Sequence, residues 1–116
     1  MSWIVDENCI KQLWERGYTG KGVTVAHLDT GIAGNHPTLR DKVFAFRLYE
    51  EDGSLASTRD PIDTGYHGTH LAGIICGDKI DGHTIGVAPD ARLLSAAVIN
   101  RGDNLVRILG GMDWVL

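Results

Sequence analysis

Apolar residues return along this chain at two spacings, and the alternation between them lays out its elements. From Asp6 or Asn8 to Arg16, the positions Cys9, Ile10, Leu13 and Trp14 recur at helical intervals, and Gly17 stands where the helix would close. Gly20-Lys21-Gly22 then turns the chain into Val23-Thr24-Val25-Ala26-His27-Leu28. That near-continuous apolar run predicts a strand buried on both faces, as in a parallel sheet, ending at Asp29-Thr30-Gly31. Val43 to Leu48 alternates as a second strand and leads into a polar loop over residues 50–64. His67 to Cys76 carries Leu71, Ala72, Ile74 and Ile75 as a compact apolar helix, and residues 78–86, rich in turn formers, predict a loop. Residues 91–99 form a third apolar strand, entered through Pro89-Asp90. Asp103 or Asn104 is placed to cap a last helix through Leu105, Ile108, Leu109, Met112, Trp114 and Val115. Strands alternating with helices predict an α/β fold with a parallel sheet.

Composition narrows the partners more than the chemistry. A chain of 116 residues suits one domain, and no repeat, linker or low-complexity tract divides it. With 43% hydrophobic and 22% charged residues it is globular rather than disordered or fibrous material. A net charge of −4 offers no basic footprint for nucleic acid. No apolar run reaches the roughly 20 residues that span a bilayer, so no membrane partner is expected either. Two cysteines, Cys9 and Cys76, are too few for a disulfide scaffold, and each sits in an apolar, helix-like setting that predicts a buried free thiol. No basic stretch followed by an apolar core opens the chain, so no signal peptide is visible and the compartment stays open.

Several residues could carry chemistry. Gly20-Lys21-Gly22 is not a phosphate loop, which needs its lysine after the second glycine and behind a strand. Behind the first strand, Asp29-Thr30-Gly31-Ile32-Ala33-Gly34 would turn a carboxylate towards a pyrophosphate, which argues against dinucleotide binding. Asp29 stands at the carboxyl end of a strand, where open α/β sheets place their ligand crevices; taken alone, the segment reads first as a turn aspartate capping its own loop. His67 and His70 share a helix face. They fit a catalytic base, a metal pair completed by His83 or Asp29, or one packed and one exposed histidine, although no glutamate stands between them as in a zinc helix. His36-Pro37 reads as a turn, and His27 and His83 as structural or exposed histidines.

Together these segments form an ordered series. Val25-Ala26-His27-Leu28-Asp29-Thr30-Gly31-Ile32, His36-Pro37, His67-Gly68-Thr69-His70-Leu71-Ala72-Gly73 and Gly86-Val87-Ala88-Pro89 closely resemble the subtilisin-like serine proteases, or subtilases. The resemblance runs from about Ile10 to Leu116 and takes in Gly17-Tyr18-Thr19-Gly20 and Gly111-Met112-Asp113-Trp114. It implies a subtilisin-like α/β fold of three layers with a mostly parallel sheet, residues 1–116 being the N-terminal portion of the catalytic domain. It implies a serine endopeptidase whose triad runs Asp, His, Ser along the chain, with Asp29 and His67 as its first two members. His70 is then a structural histidine, and Ile99, Asn100 and Leu105 are substrate-binding positions. Gly68 would let a backbone pass close to the site, and Gly73 would suit tight helix packing.

The same resemblance puts the nucleophilic serine, the oxyanion-hole asparagine and the main specificity pocket beyond position 116. Ser2, Ser54, Ser57 and Ser95 lack the family's Gly-Thr-Ser context, so these residues alone are expected to be inactive. A peptide or protein substrate is expected for the complete enzyme, and association with the C-terminal half or with a second copy for this part. No cofactor is expected. Calcium, common in the family, loses its usual ligand positions to Thr38 and Ile80, leaving backbone carbonyls of residues 78–84. The alternative from a different class is a non-catalytic, subtilase-derived interaction module, whose unfinished sheet would expose an edge and apolar helix faces and favour dimerisation or domain swapping.

Overall fold

The computed structural model describes residues 9–57 and 60–116. Along the chain lie α1 (Ile10–Glu15), β1 (Thr24–Asp29), β2 (Val43–Leu48), α2 (His67–Cys76), β3 (Lys79–Ile80), β4 (His83–Thr84), β5 (Arg92–Ala97) and α3 (Leu105–Val115). The three long strands make a parallel sheet in the order β1-β5-β2. The strand–helix alternation read from the sequence is therefore an α/β arrangement.

β5 is central because both of its faces are apolar. Successive side chains point to opposite sides of a strand. Leu93 packs with Ile32, Leu39, Ala72, Cys76 and Ala91 beneath α2. Ala96, one pleat-face over, packs with Val98, Tyr49, Leu28, Ile108 and Trp114 beneath α3. The two helices thus cover opposite faces, which gives three layers. In β1 the same alternation turns Val25, His27 and Asp29 towards α2 and Leu28 towards α3. β2 carries a bulge between Val43 and Ala45. The extra residue lets Val43 and Phe46 both reach the core under α2, and it pushes Phe44 outward, where the Arg92 guanidinium stacks 4.0 Å from its ring centre.

Several expectations change. The first strand is not buried on both faces: Thr24 and Ala26 are exposed, because β1 is an edge of the sheet among the described residues and α3 covers only its C-terminal end. Cys76 is buried, but Cys9 is exposed; it stands outside α1 in a left-handed conformation at φ 59 rather than within an apolar face. The part of the first helix expected before Cys9 lies outside the described residues. Residues 78–86 hold the short β3–β4 hairpin, turned by Asp81 at φ 49 and Gly82 at φ 78, the positive pair that a two-residue hairpin turn requires. Gly73 meets no atom within 4 Å of where a side chain would start, so tight packing does not explain it. Gly68 behaves as expected: a Cβ there would fall 2.0 Å from the carbonyl oxygen of Gly31.

The last helix turns a different face inward. α3 buries Arg107 and Gly111, with Ile108 and Trp114 partly covered, while Leu105, Leu109 and Met112 stay exposed. Gly111 allows this approach, since a Cβ would meet Val98 Cγ1 at 2.7 Å. Arg107 tolerates burial because its guanidinium donates to the carbonyls of Tyr49, Arg101 and Asp103 and to Asn104 Oδ1. At the helix start the oxygen that accepts from Leu105 N, at 2.9 Å, belongs to Asp103; Asn104 spends its own on Asn100 N and Arg107.

Candidate active site

Two rigid mounts meet at the carboxyl end of β1. Asp29 closes the strand with its side chain 9% exposed, and His67 opens α2 with its ring 67% exposed. His67 Nδ1 lies 3.0 Å from Asp29 Oδ1 and 2.9 Å from Oδ2. A carboxylate only accepts, so Nδ1 carries the proton; in the neutral ring Nε2 is then a free base on the solvent side. Asp29 Oδ1 also accepts from Thr30 N at 2.6 Å. Burial raises the Asp29 carboxyl, but the bonds from Thr30 N and His67 outweigh it and hold the group below the ordinary carboxylate value.

What brings these mounts together is a third residue, which the sequence reading missed. Asp63 Oδ1 accepts from Thr30 Oγ1 at 2.7 Å and Gly65 N at 2.9 Å. Its Oδ2 accepts from Thr69 N at 2.9 Å and from Thr69 Oγ1. One carboxylate therefore ties the turn after β1 to the first turn of α2, where orphan backbone N–H groups need acceptors. Thr30 Oγ1 passes the link on by accepting from Gly68 N at 2.9 Å, and Thr69 Oγ1 does so by accepting from Ala33 N at 2.9 Å. The available signal was an aspartate placed just before a helix that lacks a capping residue at Tyr66.

Asp63 supplies a prediction. Burial raises its carboxyl, and the hydrogen bonds from Thr30, Thr69 and Gly65 outweigh that and hold it low. A carboxyl with a lowered folded value contributes stability above its unfolded value and loses it as pH falls through the folded one. Urea denaturation should show Asp63→Ala less stable by about 2 kcal/mol at neutral pH. The gap to wild type should shrink as the pH falls below the ordinary carboxylate value; a gap independent of pH would rule out the ionised cap.

The remaining predicted positions fall at various distances from this pair. Val98 N and Ile99 N both donate to Asp29 O, at 2.8 and 3.2 Å, so Ile99 leaves the sheet beside the aspartate's backbone. Thr64 Oγ1 stands 2.8 Å from Thr30 O and 3.0 Å from Ile99 O, linking the same two segments. Asn100 is exposed on the following turn, and Leu105 is exposed at the start of α3. His70 and His83 are exposed, the former on α2 and the latter on β4. His27 is buried below Asp29. Thr38 is buried with its hydroxyl 2.9 Å from His36 Nδ1, and Ile80 is exposed on β3. Among the described residues no group of three or more His, Cys, Asp or Glu side chains is arranged to hold a metal ion, and no helix is long and apolar enough to cross a membrane.

Fold and site together define an α/β protein in which a strand end and a helix start present a carboxylate-bound imidazole to solvent. Residues 20–114 match the model of the subtilase family, and the chain belongs to that family. Its relatives bear protease names. Over 130 aligned residues it is 33% identical to bacillopeptidase F of Bacillus subtilis, covering 100% of this chain and 9% of that protein. It is 36% identical to the major intracellular serine protease of the same organism, over 90% of this chain and 31% of that protein. The minor extracellular protease Vpr, also from Bacillus subtilis, is 40% identical over 77% of this chain and 11% of its own length. The chain therefore spans less than a third of each of these relatives.

Proposed function

We propose that these residues form the Asp-and-His half of the active site of a serine endopeptidase, whose nucleophile lies in sequence beyond residue 116. The observation that carries this reading is the Nδ1 contact of His67 to both oxygens of Asp29, with Nε2 left open. Nε2 takes the proton of the attacking serine hydroxyl as its oxygen bonds to the peptide carbonyl carbon, and later gives that proton to the leaving amine. Asp29 holds the tautomer that makes this possible and stabilises the imidazolium, which the start of α2 otherwise disfavours. Ile99, Asn100 and Leu105 line the substrate's path.

Two of the described serines are engaged elsewhere, which supports this reading: Ser54 donates to Asp52, and Ser95 is buried against His27. The long remainder of each relative supports a serine supplied from elsewhere in the protein. Exposed Leu109 and Met112 on α3, and the edge of β1 left open among the described residues, are surfaces for that remainder to cover. Treating the full-length protein with a fluorophosphonate tests the assignment. One serine beyond residue 116 should be labelled, with peptide cleavage lost in step. Cleavage by residues 1–116 alone, or none by the full-length protein, would overturn it.

A further inference from the structure

His27 is the one imidazole in the site that the triad chemistry does not use, and it is placed where it can govern the geometry of the pair above it. The ring is 2% exposed. It projects from β1 on the same face as Asp29, one pleat repeat earlier. Its Nε2 lies 3.0 Å from the carbonyl oxygen of Gly68, the residue that follows His67. Its Nδ1 lies 2.9 Å from Ser95 Oγ on β5, its register partner in the sheet. A carbonyl only accepts, so Nε2 carries the proton; Nδ1 is then bare and the Ser95 hydroxyl donates to it. One ring thereby joins β1, β5 and the first turn of α2.

We propose that His27 is a positioning residue for the Asp29–His67 pair, an inference that rests on reading that pair as part of a protease triad. Gly68 is gripped from two sides, its N–H by Thr30 Oγ1 and its carbonyl by His27 Nε2. The turn is already seated against Gly31 O as closely as a glycine permits. Fixing both polar groups of the residue next to His67 fixes the height of its imidazole above Asp29. An aliphatic residue at this strand position would satisfy the sheet and leave the carbonyl unheld.

The charged and titratable groups that face His27 are Asp29 on its own strand, Asp63 from the loop before α2 and His67 on α2; the group it meets on β5, Ser95, is uncharged. Burial lowers its pKa from the ordinary 6.5, outweighing the opposite pull of Asp29, of the Gly68 carbonyl and of Asp63. The ring is therefore neutral where the unfolded chain would already be protonated, and its contribution weakens as pH falls below about 6.5. Protonation would force the Ser95 hydroxyl to turn round and accept.

The test uses the full-length protein with histidine labelled in nitrogen-15. In wild type, NMR should show His27 as the Nε2–H tautomer with a slowly exchanging proton; the opposite tautomer overturns the proposal with no variant needed. His27→Leu should lose the His67 Nδ1–H signal of the Asp29 contact and lower kcat by about 10–100-fold with KM nearly unchanged, the scale of a small misplacement of a reacting group. His27→Gln, whose amide can still donate to Gly68 O, should restore most of both. A leucine variant that keeps signal and kcat, or a glutamine variant no better than leucine, refutes positioning and leaves a packing role. Wild-type protein that shows the tautomer and the contact yet cleaves no peptide would refute the protease reading alone.

Discussion

Replacing His67 by alanine in the full-length protein is expected to lower kcat for a peptide substrate by about 10⁶-fold, the scale of removing the histidine from a subtilisin triad. The fold should hardly notice. The ring is 67% exposed, and its hydrogen bonds go to Asp29, which keeps its bond from Thr30 N. Loss of a solvent-facing side chain of this kind costs at most about 1 kcal/mol. A fluorogenic peptide assay read beside a thermal melt separates the two effects. An alanine variant within tenfold of wild type would mean that some other group removes the serine's proton.

Asp29→Asn is expected to be the second most damaging change, at about 10⁴-fold in kcat near neutral pH. The substitution barely alters shape. Its effect is on the tautomer: the asparagine amide can present N–H towards Nδ1, which then becomes the acceptor and moves the ring proton to Nε2. An Nε2 that already carries a proton cannot take one from a serine. Nitrogen-15 shifts of His67 should report that reversal in the same sample that has lost activity. An active variant with the reversed tautomer would dismiss the aspartate as orienter. Because Thr30 N and His67 hold the Asp29 carboxyl low, the wild-type aspartate stays ionised to a lower pH than an ordinary carboxylate.

Much of the site was legible because it sits on regular elements. A strand that ends in Asp29 and a helix that begins at His67 follow from apolar spacing, and the family resemblance joined them. Asp63 was only half legible for a physical reason: its place before α2 hinted at the local bond to Thr69, but its bond to Thr30 joins segments that only tertiary structure brings together. His27 looked like an interruption in an apolar strand, and nothing local says that Ser95 and Gly68 O wait on either side of the ring. The inward face of α3 was misread because periodicity ranks leucine and methionine above arginine and glycine. Here four oxygen acceptors make Arg107 buriable, and Gly111 buys closeness to Val98. The β3–β4 hairpin had its signal in Asp81-Gly82, but two-residue strands leave no alternation to read.

The strand order has a consequence for how such a protein is born. β1 and β2 do not pair with each other; in the sheet each pairs with β5, which is synthesised after both. Until residues 92–97 leave the ribosome, neither of the earlier strands has its neighbour, and His27 lacks Ser95. Parallel pairing across so long a stretch of chain is slow to nucleate, because loop closure comes before the contacts that reward it. The carboxylate and imidazole are thus both translated well before the surface that sets them face to face. The Asp29–His67 pair stays unbuilt in the nascent chain, and β5, not the two residues of the pair, decides when it closes.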